Sequence, residues 1–317
     1  MKVLIPQDIM ETGKAYLRER GYDVVMGSGF DEETLKRDVA DADAVIVRAA
    51  LFNPAVIDAG KKLKVLARYG VGYENVDIAH AEKKGIYVTL AKNCNHYSVA
   101  EHAMMMILAL AKSLVYLDRE CRKGGWNLRT TQPVYEVRNK TLGIAGVGAI
   151  GQHAAKIAHD GFGMNVIAFD PYADATKLPS YITMVGSLEQ LLREADAITL
   201  HTPSTPETRN MINAKTLKMM KPSAYLVNTG RGGIINEDEL YDALKNKVIA
   251  GAGLDVFAQE PVNLDNKLLT LDNFILSPHN AGVTVEAADA MSLSCAEAVD
   301  DVLSGRKPKY PINNPAV

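Results

Sequence analysis

Arg231, Glu260 and His279 each lie in a short segment that follows an apolar run. Arg231 sits in Asn228-Thr229-Gly230-Arg231-Gly232-Gly233 after Ala224 to Val227, and Glu260 in Asp255-Val256-Phe257-Ala258-Gln259-Glu260-Pro261 after Ile249 to Leu254. His279 sits in Ser277-Pro278-His279-Asn280-Ala281-Gly282 after Phe274 to Leu276. A guanidinium can grip a carboxylate through two parallel hydrogen bonds and polarise the carbonyl beside it. An imidazolium can deliver a proton to an oxygen as negative charge develops there, and the imidazole can take that proton back in the reverse direction. A carboxylate paired with the imidazole favours its protonated form and fixes its orientation. These are the side chains needed for hydride transfer to a carbonyl carbon next to a carboxylate. Taken singly, they read as a solvated loop arginine, a helix-terminus charge and a satisfied loop histidine. Three of them at consecutive strand ends, where open α/β sheets hold their ligands, read as a site.

A partner for that chemistry lies upstream. Thr141 to Ala145 leads into Gly146-Val147-Gly148-Ala149-Ile150-Gly151, a helix-compatible stretch follows to about Ala158, and Asp170 ends the next apolar run. Glycines at this spacing also punctuate ordinary tight turns. The strand before, the helix after and the acid at the next strand end supply the context of a dinucleotide site. Gly146 permits the tight turn, Gly148 lets backbone approach a pyrophosphate, and Gly151 lets helix pack close to strand. The helix N-terminus adds unpaired N–H groups and partial positive charge for the phosphates. A carboxylate at Asp170 accepts hydrogen bonds from ribose hydroxyls and repels the extra phosphate of NADP, so NAD is the expected cofactor.

Two series of alternating strand and helix patterns hold these segments. The first runs through Val3-Leu4-Ile5, Val24-Val25, Ala44 to Val47, Val65 to Ala67 and Ile86 to Val88, with helices over Thr12 to Arg20 and Pro54 to Ala59. Asn53 is the expected N-cap of the latter and Pro54 its first residue. Ser98-Val99-Ala100-Glu101 reads as a capping box opening one long helix to Leu117, apolar nearly all round and therefore expected to be buried. The second series comprises Thr141 to Ala145, Asn165 to Phe169, Ala197 to Leu200, Ala224 to Val227, Ile249 to Leu254 and Phe274 to Leu276. Its helix starts are marked at Ser187 and Asn236. A last amphipathic helix carries Ala288, Met291, Cys295, Ala298 and Val302 and stops at Gly305, followed by a short proline-rich tail. Short buried strands alternating with helices indicate α/β architecture with parallel sheets covered on both faces.

The 317 residues are about two domains' worth of chain. Hydrophobic residues make up 47% and charged residues 23%, which excludes a disordered chain. Thirty-five basic against 38 acidic side chains, with no basic block, argue against nucleic acid as a partner. The strongly apolar run Ala103 to Ala111 is too short to cross a bilayer, so no membrane partner is expected. No signal-peptide pattern opens the sequence, and the expected location is the cytoplasm. Cys94, Cys121 and Cys295 make neither a disulfide framework nor a zinc pattern, and no metal is expected. Among the histidines, His201 reads as a possible lining of the cofactor cleft. His96 and His102 flank the long helix, and His80, His153 and His159 read as helix-surface residues.

Taken together, the glycine fingerprint with Asp170, Asn228-Thr229-Gly230-Arg231-Gly232, Asp255 with Glu260-Pro261, and Pro278-His279-Asn280-Ala281-Gly282 resemble the D-isomer-specific 2-hydroxyacid dehydrogenase family over essentially the whole chain. The resemblance implies an NAD-dependent oxidoreductase interconverting a D-2-hydroxy acid and its 2-keto acid. In it Arg231 binds the carboxylate and carbonyl, and His279, paired with Glu260, is the acid and base. It implies cofactor contacts at Gly146, Gly148, Ala149, Ile150, Gly151, Asp170, Thr202, Pro203, Thr229, Gly230, Asp255 and Gly282. Arg68 to Asp77 looks like the family's substrate loop, which implies substrate contacts at Gly70, Val71 and Gly72 beside Arg231 and His279. Arg48 resembles the arginine that phosphoglycerate dehydrogenases keep for the substrate phosphate, and equally reads as a structural ion-pair residue. Two doubly wound domains are implied: a Rossmann cofactor domain over 98–285, inserted in a flavodoxin-like substrate domain over 1–97 and 286–317. A homodimer through the cofactor domain is implied as well. The substrate is left open among 3-phosphoglycerate, glycerate or glyoxylate, lactate and branched acids. The alternative is an NAD-sensing, corepressor-like binding protein; an amino-acid dehydrogenase would want a catalytic lysine instead of the histidine–glutamate pair.

Overall fold

The computed structural model describes residues 1–315, which divide into two compact units. One comprises Met1–Asn95 and the chain from Val283 onward; the other is His96–Gly282.

The first unit is built on five parallel strands: β1 (Lys2–Ile5), β2 (Asp23–Met26), β3 (Ala44–Val47), β4 (Val65–Arg68) and β5 (Tyr87–Leu90). Their order is β2-β1-β3-β4-β5, the flavodoxin-like doubly wound arrangement. All four residues of β3 are buried, as a central parallel strand covered on both faces requires. Helices α1 (Glu11–Glu19), α2 (Glu32–Val39), α3 (Pro54–Ala59) and α4 (Ile78–Lys83) follow the strands. The Asn53 side chain caps α3 at the Val56 amide, with Pro54 at its first turn. Leu35, Val39, Phe52 and Ile57 fill one face of the sheet. On the other face, Leu17 of α1 packs with residues of the returning chain, Ala287, Met291, Cys295 and Val299. The tail beyond Gly305 adds itself to β5: Leu90 N donates to Tyr310 O at 3.1 Å and Ile312 N to Val88 O at 2.9 Å.

The second unit carries seven parallel strands: β6 (Thr141–Ala145), β7 (Asn165–Phe169), β8 (Ile182–Met184), β9 (Ala197–Leu200), β10 (Tyr225–Asn228), β11 (Gly251–Leu254) and β12 (Phe274–Leu276). They are ordered β8-β7-β6-β9-β10-β11-β12, the Rossmann order with one more strand at the β12 edge. Its helices are α5 (His96–Ala111), α6 (Leu114–Cys121), α7 (Leu128–Thr131), α8 (Ala149–Lys156), α9 (Leu188–Glu194), α10 (Ala214–Leu217) and α11 (Glu237–Lys245). Ser187 and Asn236 cap α9 and α11 as expected. The final helix, α12 (Val285–Leu303), belongs to the first unit.

Three local expectations are corrected. The single helix from Ser98 to Leu117 is two helices, bent by 59° at a break where Ser113 takes a left-handed backbone (φ 48°). The returning segment holds that break: Tyr135 N donates to Ala111 O at 2.8 Å, and Gln132 Nε2 to Ser113 Oγ at 3.2 Å. Ser98 lies inside the first turn rather than ahead of it, so the expected capping box is not the helix start. Burial holds for α5 on one face, whereas no residue of α6 is buried. No single helix among the described residues is long and apolar enough to cross a membrane. The edge strand β8 has no counterpart in the expected series.

The α1–α12 contact is close enough to need glycine. Gly13 N donates to Ser292 Oγ at 3.2 Å, and a Cβ at Gly13 would stand 2.4 Å from Ser292 O and Oγ. Alanine gains about 1 kcal/mol of helix propensity there, but overpacking costs about 1–3 kcal/mol. Gly13→Ala is therefore expected to destabilise the protein, read as a lower urea midpoint.

Candidate active site

The fingerprint glycines have distinguishable reasons to be glycine. Gly146 has φ 90°, and its Cβ would lie 2.9 Å from His201 O. A Cβ at Gly151 would meet Gly146 O at 2.3 Å, so α8 reaches the strand only without one. Gly148, the residue before α8, is different: a Cβ there meets nothing within 4 Å. The fold does not demand glycine at this position; a group approaching the backbone from outside would. Asp170, the residue after β7, accepts from Val147 N of the glycine loop at 3.0 Å and from Tyr172 N of its own loop at 2.9 Å.

Further strand ends complete the rim. After β9, Thr202 Oγ1 is buried with no hydrogen-bond partner among the described residues. After β10, a Cβ at Gly230 would stand 3.1 Å from Thr202 O, so the two strand-end loops approach closely. Thr229 is buried there, and Pro203 is exposed. An open approach at Gly148, an unpaired hydroxyl at Thr202 and the free amides of Ala149 and Ile150 at the start of α8 fit a dinucleotide phosphate and its neighbouring groups.

The three chemical residues stand on the loops that follow β10, β11 and β12. Asn228 shapes the first loop, accepting from Gly230 N at 3.0 Å and donating from Nδ2 to Arg231 O at 2.9 Å. Arg231 Nη1 donates to Gly230 O at 2.9 Å. A Cβ on Gly232 would lie 1.8 Å from Phe257 O, so the Arg231 loop rests directly on the Glu260 loop. Glu260 divides its oxygens: Oε1 accepts from Phe257 N at 2.9 Å, and Oε2 meets His279 Nδ1 at 2.6 Å. With Nδ1 held there, Nε2 is the nitrogen that can exchange a proton with a ligand. Asp255, just past the end of β11, has a fully enclosed carboxylate that accepts from the amides of Asn280 and Ala281 at 2.9 and 3.0 Å, next to Gly282. Among the described residues no three His, Cys, Asp or Glu side chains are placed to share a metal ion.

Residues 104–281 match the family described as D-isomer specific 2-hydroxyacid dehydrogenase, NAD binding domain. The D-3-phosphoglycerate dehydrogenase of Methanocaldococcus jannaschii is 39% identical over 319 residues, covering 100% of this chain and 60% of the relative. The glyoxylate reductase of Thermococcus onnurineus is 37% identical over 326 residues, covering 98% of this chain and 96% of the relative. Among solved structures, the TT0316 protein of Thermus thermophilus superposes with a TM-score of 0.91 at 33% identity, covering 98% of this chain and 100% of that one. The chain belongs to the D-isomer-specific 2-hydroxyacid dehydrogenase family. It spans 56–60% of the length of the archaeal and cyanobacterial phosphoglycerate dehydrogenases it matches. NAD is the cofactor of its second unit.

The segment that resembles the family's substrate loop, Arg68 to Asp77, begins at the last residue of β4 in the first unit. Gly70 has φ 128°, a conformation that favours glycine. Asn75 braces the loop, accepting from Arg68 Nε at 3.2 Å and donating to Arg48 O at 2.9 Å and Ala50 O at 2.7 Å. No hydrogen bond among the described residues takes up the amides of Val71 or Gly72. Arg48 Nη1 donates to Asp8 O at 2.5 Å, and its guanidinium lies 5.3 Å from the centre of the Tyr69 ring. These contacts are a backbone carbonyl and an aromatic face, and the Arg48 charge is one of the groups that lower the pKa of Asp8.

Sequence reasoning undervalued two histidines of the second unit. His102 enters the network around Asp255, with Nε2 2.8 Å from Ser277 Oγ. His153 stacks on His96 with ring centroids 4.6 Å apart and stands 4.0 Å from the Tyr97 ring. Periodicity ranks such residues by helix face and carries no signal for a contact between distant segments.

His201 contacts Thr199 Oγ1 at 3.0 Å and Thr229 Oγ1 at 3.4 Å, and burial pushes its pKa down to about 4. The unfolded chain therefore takes up a proton below about pH 6.5 that the folded chain refuses until about pH 4. Stability contributed by the neutral imidazole is present above that window and lost as pH falls through it. His201→Gln is expected to flatten the fall in urea midpoint between about pH 7.5 and pH 4.5, a span that brackets the unfolded pKa. An unchanged slope would assign that fall to other groups.

Proposed function

We propose that the protein interconverts a D-2-hydroxy acid and its 2-keto acid, using Arg231, His279 and Glu260. The observation that carries this reading is the 2.6 Å contact of Glu260 Oε2 with His279 Nδ1, on loops that end neighbouring strands of a dinucleotide-binding sheet. Bound NADH supplies the hydride. Arg231 grips the substrate carboxylate and polarises the keto group. His279 gives its Nε2 proton to the carbonyl oxygen as charge develops there, and in the oxidising direction takes it back from the hydroxyl. Glu260 keeps the ring in the orientation that presents Nε2.

The cofactor rests on the fingerprint loop at Gly146, Gly148, Ala149, Ile150 and Gly151, with Thr202, Pro203, Thr229, Gly230, Asp255 and Gly282 along the rim. Asp170 takes the ribose hydroxyls and excludes a 2′-phosphate. In the first unit, Gly70, Val71 and Gly72 offer backbone amides to the substrate carboxylate, which the unused amides of Val71 and Gly72 support. Arg48, anchored at Asp8 O and Tyr69, is assigned to the far end of the substrate. We assign the reaction to a small 2-keto acid in the cytoplasm.

The test follows NADH absorbance with pyruvate, glyoxylate, hydroxypyruvate, phosphohydroxypyruvate and branched 2-keto acids. Turnover names the substrate; NADH binding without turnover on any of them would sink the enzyme reading and favour an NAD-sensing binding protein. On the best substrate, His279→Ala is expected to lower turnover by on the order of 10²–10⁴ while NADH still binds. Unchanged turnover would remove His279 from the chemistry.

A homodimer through the second unit accounts for its exposed apolar side chains. Leu114, Val115, Trp126, Val134 and Tyr135 all lie in water in the single chain, with Trp126 69% exposed. Sedimentation is expected to give twice the chain mass, and Val115→Glu to shift the population toward the monomer. A wild-type monomer at micromolar concentration would contradict the assembly.

A further inference from the structure

The loop that carries His279 is wrapped around one enclosed carboxylate. Asp255 Oδ1 accepts the Ser277 hydroxyl at 2.6 Å and Asn280 N at 2.9 Å, and Oδ2 accepts Ala281 N at 3.0 Å. The Asp255 carbonyl accepts His279 N at 2.8 Å. His279 is left at φ 53°, a backbone conformation that side-chain-bearing residues hold only where their surroundings impose it.

A second tether arrives from α5. His102 Nε2 lies 2.8 Å from Ser277 Oγ and 3.8 Å from Asp255 Oδ1. A serine hydroxyl has one proton, and the contact of 2.6 Å spends it on the carboxylate. His102 must therefore donate from Nε2, which fixes its tautomer. Burial lowers its pKa against the opposing pull of Asp255. The hydrogen bonds then run one way: His102 to Ser277, and Ser277 to Asp255. Asp255 in turn collects the amides of Asn280 and Ala281, the two residues after His279.

We propose that His102 and Ser277 are positioning residues that act through Asp255 to hold the His279 imidazole against Glu260. They seat the carboxylate on the helix that packs beneath the sheet, so the strained turn at His279 is fixed to a rigid element as well as to the end of its own strand. Two backbone amides alone would leave Asp255 Oδ1 short of one donor and the side of the loop facing α5 untied. The kinetic consequence rests on the dehydrogenase reading given above; the geometric one does not.

The test compares Ser277→Ala, His102→Phe and His102→Gln, the last of which keeps an N–H of similar reach. With NADH and the best keto acid, Ser277→Ala and His102→Phe are expected to lower kcat by on the order of 10–10²-fold, the cost of misplacing a catalytic group. KM should stay within about threefold, because an interaction used only at the transition state is lost. His102→Gln should recover most of kcat. The second readout uses the free protein. The low-field proton resonance of His279 Nδ1–H, assigned by its loss in His279→Gln, should move or vanish in the first two variants and persist in His102→Gln.

An unmoved resonance in both variants overturns the proposal, whether kcat falls or not. If the wild-type protein turns over no keto acid, a moved resonance keeps the relay and discards the dehydrogenase reading, and an unmoved one discards the relay. Should His102→Phe fail to fold by thermal unfolding, Ser277→Ala, which removes a single oxygen, carries the test.

Discussion

Nδ1 of His279 and Oε2 of Glu260 meet at 2.6 Å, and a contact that short leaves little room for error in three separate loops. Its geometry is set by the sheet. Asn228 pairs with Leu254, and Leu254 with Leu276, so β10, β11 and β12 end in step. The loops beyond them are then locked to one another: the Gly232 backbone lies against Phe257 O, and Phe257 N is held by the other oxygen of Glu260. A one-residue slip in either strand pair would carry a loop about 3.3 Å along the strand direction. Arg231, Glu260 and His279 are thus a property of parallel register before they are a property of side chains.

Much of this architecture was legible in the amino-acid sequence, for physical reasons. Strands buried on both faces, such as Ala44 to Val47 and Ala197 to Leu200, appear as short apolar runs because no face needs to be polar. Caps at Asn53, Ser187 and Asn236 were legible because their chemistry is local. The break at Ser113 was not. Neither glycine nor proline marks it, and the apolar pattern runs through it; what holds it is hydrogen bonding to Gln132 and Tyr135, some twenty residues on. The three-residue strand β8 was missed because an edge strand has few buried positions to create a pattern.

In the site, residue types were legible and their neighbours were not. The spacing of Gly146, Gly148 and Gly151 carried the turn, yet only the structure separates a glycine demanded by the fold from one that leaves an approach open. His102 is 153 residues from Asp255 and 175 from Ser277, and nothing in its own segment points to either. The role of Ser277 was hidden by its commonness: a serine before a proline reads as a turn residue.

The first unit is discontinuous, and this has a consequence for how the protein is made. Its opening ninety-five residues supply every strand of the sheet, but Ala287, Met291, Cys295 and Val299 of α12, which cover one face, come after the whole second unit. During synthesis that face of β1, β3 and β4 has only α1 and its neighbours against it, with Leu17, Ile9 and Tyr22, until the chain beyond the second unit has been made. Until then the sheet is half covered on that face and its β5 edge, later paired by Tyr310 and Ile312, is open to mispairing.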